Sequence, residues 1–396
     1  MFDSVPAAPP DPILGLTDAF QSDSRPQKIN LTIGVYRDDA GQTPVLECVK
    51  LAEKRLLDSE TSKGYLGIDG LAEFRRLAGE LTLDELVSAD RLVVMQAPGG
   101  TGALRVAADF LSKNFRGSRV WVSTPTWPNH NAIFEAAGMT TVSYPYLAAD
   151  KRSLDLDGML EKIENEGKIG DIICFHACCH NPTGIDPTAS QWSEISKLTA
   201  QRKMLPLVDF AYHGFGDGLH EDRVALRELI KHHDELLICS SYSKNFGLYS
   251  ERIGAIIAVC PSADQTAAVS SNMKQSVRSN YSNPPRHGGA IVATILGDPD
   301  LRQLWVRELD AMRSRIHSIR SQFVAGMAAT GCSTDFSFLL DQRGMFSFSG
   351  LTPLQVDWLR SEKGIYMVGS GRINVAGITS QNMELLTAAI AEALAV

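Results

Sequence analysis

The stretch ELLICSSYSKNFG, residues 235–247, decides the fold and points to the chemistry. Its first half, Glu235 to Ser240, is a short apolar run bounded by polar residues, which reads as a buried strand. Its second half places Ser241, Tyr242, Ser243 and Lys244 at the carboxyl end of that strand, with Arg252 a few residues on. In open α/β sheets ligands sit at the carboxyl ends of strands, so hydroxyls and two cations there suit a phosphate with a reactive amine beside it. A lysine in a loop is ordinarily a solvated charge; one flanked by hydroxyls, an arginine and apolar strands is a candidate Schiff-base former.

Working outward, the same pattern recurs. Apolar runs at Leu92 to Met95, Arg119 to Ser123, Asp171 to Cys179, Leu205 to Phe210 and Gly254 to Val259 alternate with helix-length amphipathic stretches, predicting a mostly parallel α/β sheet covered by helices. After Pro299 the texture changes to helical periodicity from Leu301 to Ala329. Short strand-like pieces follow at Met345 to Ser349 and Arg372 to Val375, predicting a smaller α+β domain. We divide the chain into residues 1–45, an N-terminal arm and part of the small domain, 46–310, a large cofactor-binding domain, and 311–396, the rest of the small domain.

Each strand end carries a polar residue with a structural and a functional reading. Gly99, Gly100 and Thr101 open a helix after the first run, presenting free N–H groups and a hydroxyl to an anion, although a glycine-rich turn is often only a tight connection. Asp209 ends another run, as a structural hydrogen-bond acceptor or as the partner of a protonated heterocycle nitrogen. Asn181, in the turn His180–Gly184, offers an amide to a ligand oxygen. Trp127 is either core packing or a stacking surface for a planar ligand. Arg372, on an apolar strand-like piece, needs a carboxylate of the protein or of a ligand. The cluster His176, Cys178, Cys179 and His180 suggests a metal, but along one strand alternate side chains face opposite ways, so no metal is expected.

Composition bounds the remaining possibilities. With 38 basic and 46 acidic residues and a net charge of -8, the chain lacks the basic surface that nucleic acid or an anionic membrane requires. No secretory signal or spanning run is visible. Seven cysteines without a framework spacing suggest reduced thiols, and a cytoplasmic location is the expectation.

Taken together these segments resemble the fold-type I, class I aminotransferases, specifically the aspartate and aromatic amino-acid aminotransferase group. The resemblance runs from Asp11-Pro12-Ile13-Leu14-Gly15-Leu16, through Gly64-Tyr65-Leu66-Gly67-Ile68-Asp69-Gly70, to Gly371-Arg372-Ile373-Asn374-Val375-Ala376-Gly377. It implies pyridoxal 5'-phosphate as cofactor, bound covalently by Lys244, whose amine also shuttles the proton. It implies a phosphate cradle of Gly100, Thr101, Ser241, Ser243 and Arg252, with Tyr65 reaching the phosphate of a neighbouring subunit in a homodimer. Asp209 then partners the pyridine nitrogen, Tyr212 and Asn181 the phenolic oxygen, Trp127 the ring face, and His176 supports Asp209. Gly34 contacts substrate through its backbone, Arg372 grips the α-carboxylate, and Arg278 reaches a distal carboxylate across the dimer.

The implied reaction is transamination between L-aspartate or L-glutamate and 2-oxoglutarate or oxaloacetate, with some aromatic activity. Val35, Arg37, Thr43, Thr101 and Asn283 are small or polar where an aromatic-preferring pocket is more apolar. The alternatives are an aromatic aminotransferase, a lyase or decarboxylase using the same cofactor, and, outside enzymes, an amino-acid sensor module.

Overall fold

The computed structural model describes residues 1–7 and 14–396, so Asp11, Pro12 and Ile13 of the first resembling motif lie outside the described residues. In chain order the strands are β1 (Ile29–Asn30), β2 (Leu92–Pro98), β3 (Arg119–Thr124), β4 (Thr140–Pro145), β5 (Ile172–His176), β6 (Leu205–Phe210), β7 (Leu236–Ser241), β8 (Ile253–Val259), β9 (Phe346–Phe348), β10 (Ile365–Tyr366) and β11 (Arg372–Asn374). They divide between two compact units, one of Met1–Thr43 with Arg315–Val396 and one of Pro44–Ser314.

In the larger unit seven strands form one sheet in the order β2-β8-β7-β6-β5-β3-β4. Neighbouring strands from β4 to β7 are parallel, whereas β8 is antiparallel to both β7 and β2. The reversal has a functional consequence: β8 begins at the edge where the parallel strands end, so Arg252 arrives beside Ser241. Strands β5, β7 and β8 are buried along their whole length, which is why they read as continuous apolar runs.

The helix Gly99–Asn114 packs across β8, β7 and β2 through Leu104, Ala107, Ala108 and Leu111. Each fully buried leucine there contributes about 1.5–3 kcal/mol relative to exposure. Its start is a close approach: Gly99 has φ +77°, and a Cβ on it would lie 2.3 Å from Arg252 Nη2. Only glycine lets that guanidinium lie against the turn.

Two strand readings change. The run beginning at Asp171 leaves the sheet at His176, and Cys179 takes a left-handed conformation with φ +52°, so the alternation argument against a metal fails beyond His176. Strand β4, at the sheet edge, has an exposed and half-buried pattern with little apolar signal, and was not anticipated. None of the seven cysteines is joined in a disulfide.

In the smaller unit β1 pairs in parallel with β10, and β9 pairs with β11 in antiparallel fashion. The segment after β1 is fixed to β11, with Asn374 N donating to Leu31 O and Asn374 Nδ2 to Ile33 O and Val35 O. Among the described residues no helix is long and apolar enough to cross a membrane.

Candidate active site

The carboxyl edge of the large sheet gathers most of the predicted residues of that unit, Tyr65 and Arg278 excepted. Register aligns His176 of β5 with Asp209 of β6, and Asp209 with Cys239 of β7. Asp209 is buried, and its Oδ2 lies 3.0 Å from His130 Nε2. Its other oxygen, Oδ1, is buried without a hydrogen-bond partner. Desolvation pushes this carboxyl up, but the His130 hydrogen bond, with His176 and Lys244 nearby, outweighs it and holds the pKa below the usual carboxylate value. An ionised oxygen left unpaired in such a place costs several kcal/mol, which a cationic N–H from a ligand offsets.

Lys244 follows the end of β7 and is half-buried, with its Nζ 4.7 Å from the centre of the Tyr212 ring. Burial pushes its amine below the ordinary lysine value; Asp209 opposes this and Arg252 adds to it. A lowered pKa makes a larger share of the amine neutral and nucleophilic, as covalent catalysis requires. Asp209 Oδ1 and Lys244 thus place a cation-ready acceptor and an amine shifted toward neutrality at the ends of adjacent strands, and the donor set fits pyridoxal phosphate.

The anion side is equally well defined. Arg252 Nη1 lies 3.3 Å from Ser243 Oγ and donates to Tyr249 O at 3.1 Å, while Ser243 N donates to Ser241 Oγ at 3.3 Å. A Cβ on Gly100 would lie 3.1 Å from Ser241 Cβ, so the helix start bearing Gly100 and Thr101 abuts the same serine. That helix has no side-chain cap, leaving first-turn N–H groups for an anion.

Trp127 is half-buried with its ring edge-on to His130, at 5.4 Å and 82°. Asn181 is buried in a loop tied down by Asp186, which accepts from Cys179 N at 2.6 Å and His180 N at 2.9 Å. The direct hydrogen bond to Asp209 comes from His130, while His176, which the resemblance implies as a support for Asp209, is aligned with it by strand register. His176 lies behind His130, 5.0 Å between ring centres and 3.4 Å from Thr126 Oγ1. The missed signal was a histidine in the first turn of the helix Asn129–Ala136, just past Trp127. Burial, with His180 and His130 nearby, pushes the His176 pKa well down, so its ring is neutral.

Two predicted residues of the large unit are not buried with this group. Tyr65 is 96% exposed, and Arg278 is exposed in the last turn of the helix Ala263–Asn280, bonded to the Ser282 hydroxyl. In the small unit Arg372 is buried, donates to Thr32 O at 2.8 Å and lies over the Phe346 ring at 4.3 Å. Gly34 meets the same ring: a Cβ on it would come within 2.6 Å of Phe346 Cζ.

A mostly parallel seven-stranded sheet with a lysine, a buried aspartate and an anion cradle at one edge is the architecture of the fold-type I aminotransferases. Residues 26–390 match the family of class I and II aminotransferases, and the chain belongs to that family. It is 52% identical to an aspartate aminotransferase of Escherichia coli K12, over the full length of both chains. It is 46% identical to an aromatic-amino-acid aminotransferase of Pseudomonas aeruginosa, covering 100% of this chain and 99% of the relative. Among solved structures, an aromatic-amino-acid aminotransferase of Burkholderia pseudomallei, covalently bound to pyridoxal phosphate, superposes with a TM-score of 0.97 at 45% identity, covering 100% of this chain and 99% of that one.

Proposed function

We propose that this aminotransferase uses pyridoxal 5'-phosphate to move an amino group between L-aspartate or L-glutamate and 2-oxoglutarate or oxaloacetate, with aromatic amino acids as side substrates. The observation that carries the reading is Asp209 Oδ1, a buried carboxylate oxygen without a partner, beside a lysine whose amine is shifted toward neutrality. When bound, pyridoxal phosphate supplies an electron-poor ring that accepts the electron pair released when the substrate Cα–H bond breaks.

The chain's own residues do the rest. Lys244 Nζ would hold the cofactor and, as a free amine, would carry the proton that leaves the substrate Cα. Asp209 Oδ1 would accept from the protonated ring nitrogen, while Asn181 and Tyr212 would donate to the phenolic oxygen. Gly100, Thr101, Ser241, Ser243 and Arg252 would hold the phosphate, and Trp127 would cover the ring. Arg372 would receive the α-carboxylate, Gly34 would contact the substrate through its backbone, and Arg278 would receive a distal carboxylate.

We assign Tyr65 and Arg278 to the site of a second copy, making the working unit a homodimer, and free thiols throughout fit a cytoplasmic location. The exposure of Arg278 supports a second reading, in which it turns outward to admit aromatic substrates as the principal ones.

The test is to mix cofactor-loaded protein separately with L-aspartate and L-tyrosine and follow loss of the lysine-bound absorbance in a single turnover. Faster conversion with aspartate is expected. A tyrosine advantage selects the second reading, and no conversion with either amino acid refutes the proposed substrates.

A further inference from the structure

We propose that Asp222 is a positioning residue that fixes Tyr212 beneath the Lys244 amine. The inference rests on the roles proposed for Lys244 and Tyr212 and extends them to a carboxylate that itself touches no substrate. Tyr212 lies two residues beyond β6, where the chain turns at once: Phe215 N donates to Tyr212 O at 2.9 Å, and Gly214 has φ +92°.

Asp222, ten residues on in the short turn Glu221–Arg223, is buried and reaches back into this loop. Its Oδ2 accepts from Gly214 N at 2.8 Å and Gly216 N at 3.0 Å; its Oδ1 accepts from Asp217 N at 2.8 Å and Gly218 N at 3.4 Å. A carboxylate ringed by backbone N–H groups is a rigid knot, because each donor is fixed by the chain.

The knot connects to the lysine rather than merely closing a loop. Asn245, the residue after Lys244, donates from Nδ2 to His213 O at 3.2 Å, and its own carbonyl accepts from Trp305 Nε1 at 2.7 Å. His213, the residue after Tyr212, is thus held by the neighbour of Lys244 on one side, while the next N–H, that of Gly214, is held by Asp222 on the other. From the far side Arg313 Nη1 donates to Gly214 O at 3.0 Å. Releasing the carboxylate removes four of the ties that hold the segment following Tyr212.

Loosening a structural loop and misplacing Tyr212 are separable by spectroscopy. The groups facing Lys244 are Tyr212, Asp209, Arg252 and His176, so the pH midpoint of the lysine-bound cofactor absorbance reports their placement. We would titrate the loaded wild type, Tyr212→Phe as the benchmark, Asp222→Asn, and Gly216→Ala, whose Cβ would lie 2.4 Å from Asp222 Oδ1 and displace the carboxylate gently. Leu229→Ala, a buried position on the helix Val224–Ile230, serves as a control for lost stability.

The expected result is that Asp222→Asn and Gly216→Ala shift the midpoint in the direction of Tyr212→Phe, while Leu229→Ala retains the wild-type midpoint despite a lower Tm. Should Asp222→Asn fail to fold, Gly216→Ala decides. A normal band with unshifted midpoints in both loop variants overturns this inference alone, as does an equal shift in Leu229→Ala. A wild type that develops no lysine-bound band with pyridoxal phosphate overturns the cofactor reading and this inference together.

Discussion

The floor of the site and its rim are built on different physical terms. On the floor, Asp209, Lys244 and Tyr212 sit on or just beyond adjacent strands, buried or half-buried, and His130 meets Asp209 from the helix Asn129–Ala136. Tyr65 and Arg278, proposed for the rim, stand in solvent, and Arg278 has only Ser282 as its hydrogen-bond partner among the described residues. A buried charge without partners is expensive, whereas an exposed one costs little. The floor is therefore set within one chain, while the rim is available for groups that arrive later, whether substrate or a second copy.

Removing the floor's amine is the largest expected blow to this contrast. Lys244→Ala loses both the covalent anchor and the proton carrier, and turnover should fall by about 10⁴-fold or more. Steady-state rates with the aspartate and 2-oxoglutarate pair measure it; turnover near wild type breaks the assignment. Asp209→Asn keeps the volume but removes the charge, and kcat should fall by about 10²–10³-fold. The bound cofactor's spectrum checks that the loss is electronic rather than a failure to bind.

The rim should instead show selectivity. Arg278→Asp reverses the charge proposed to meet the distal carboxylate, so kcat/KM for L-aspartate should drop by about 10²-fold or more while that for L-tyrosine holds. Equal damage to both substrates removes Arg278 from substrate recognition. The same variant sharpens the proposal of a shared site: mixing Lys244→Ala with Arg278→Asp subunits should restore aspartate turnover, because a hybrid dimer contains one site with both native residues. Mixtures no more active than their parents place both groups in one subunit's site.

How much of this was legible in sequence follows the same division. Floor residues announced themselves because each stands at the end of an apolar run, and strand register makes neighbours of residues dozens of positions apart, as with His176 and Asp209. His130 escaped notice because it lies on a helix, and a helical histidine carries no mark of which strand it faces. Asp222 escaped for a related reason: its partners are backbone N–H groups, invisible to any reading of side-chain types. The rim roles of Tyr65 and Arg278 came only from the resemblance, since nothing in their local pattern distinguishes them from solvated surface. Strand β4 was missed because an edge strand need not be apolar.

The smallest effect concerns the support beneath the floor, and pH is the way to measure it. His213 is buried with Nε2 2.7 Å from Leu219 O, and desolvation lowers its pKa to about 4; burial does the same for His233, also to about 4. Both are neutral in the folded protein near neutrality, whereas unfolded histidines titrate near 6.5. Between these values the unfolded chain binds more protons, so stability is full above about pH 6.5 and declines as pH falls toward 4. The slope approaches about 1 kcal/mol per pH unit for each histidine. Thermal unfolding of the loaded enzyme from pH 7.5 to 4.5 should show Tm falling through this window, and His233→Gln, remote from Lys244, should flatten the fall without changing aspartate turnover at neutral pH. A pH dependence of Tm unaltered in that variant would show that carboxylates elsewhere, rather than the buried imidazoles, govern the acid limit.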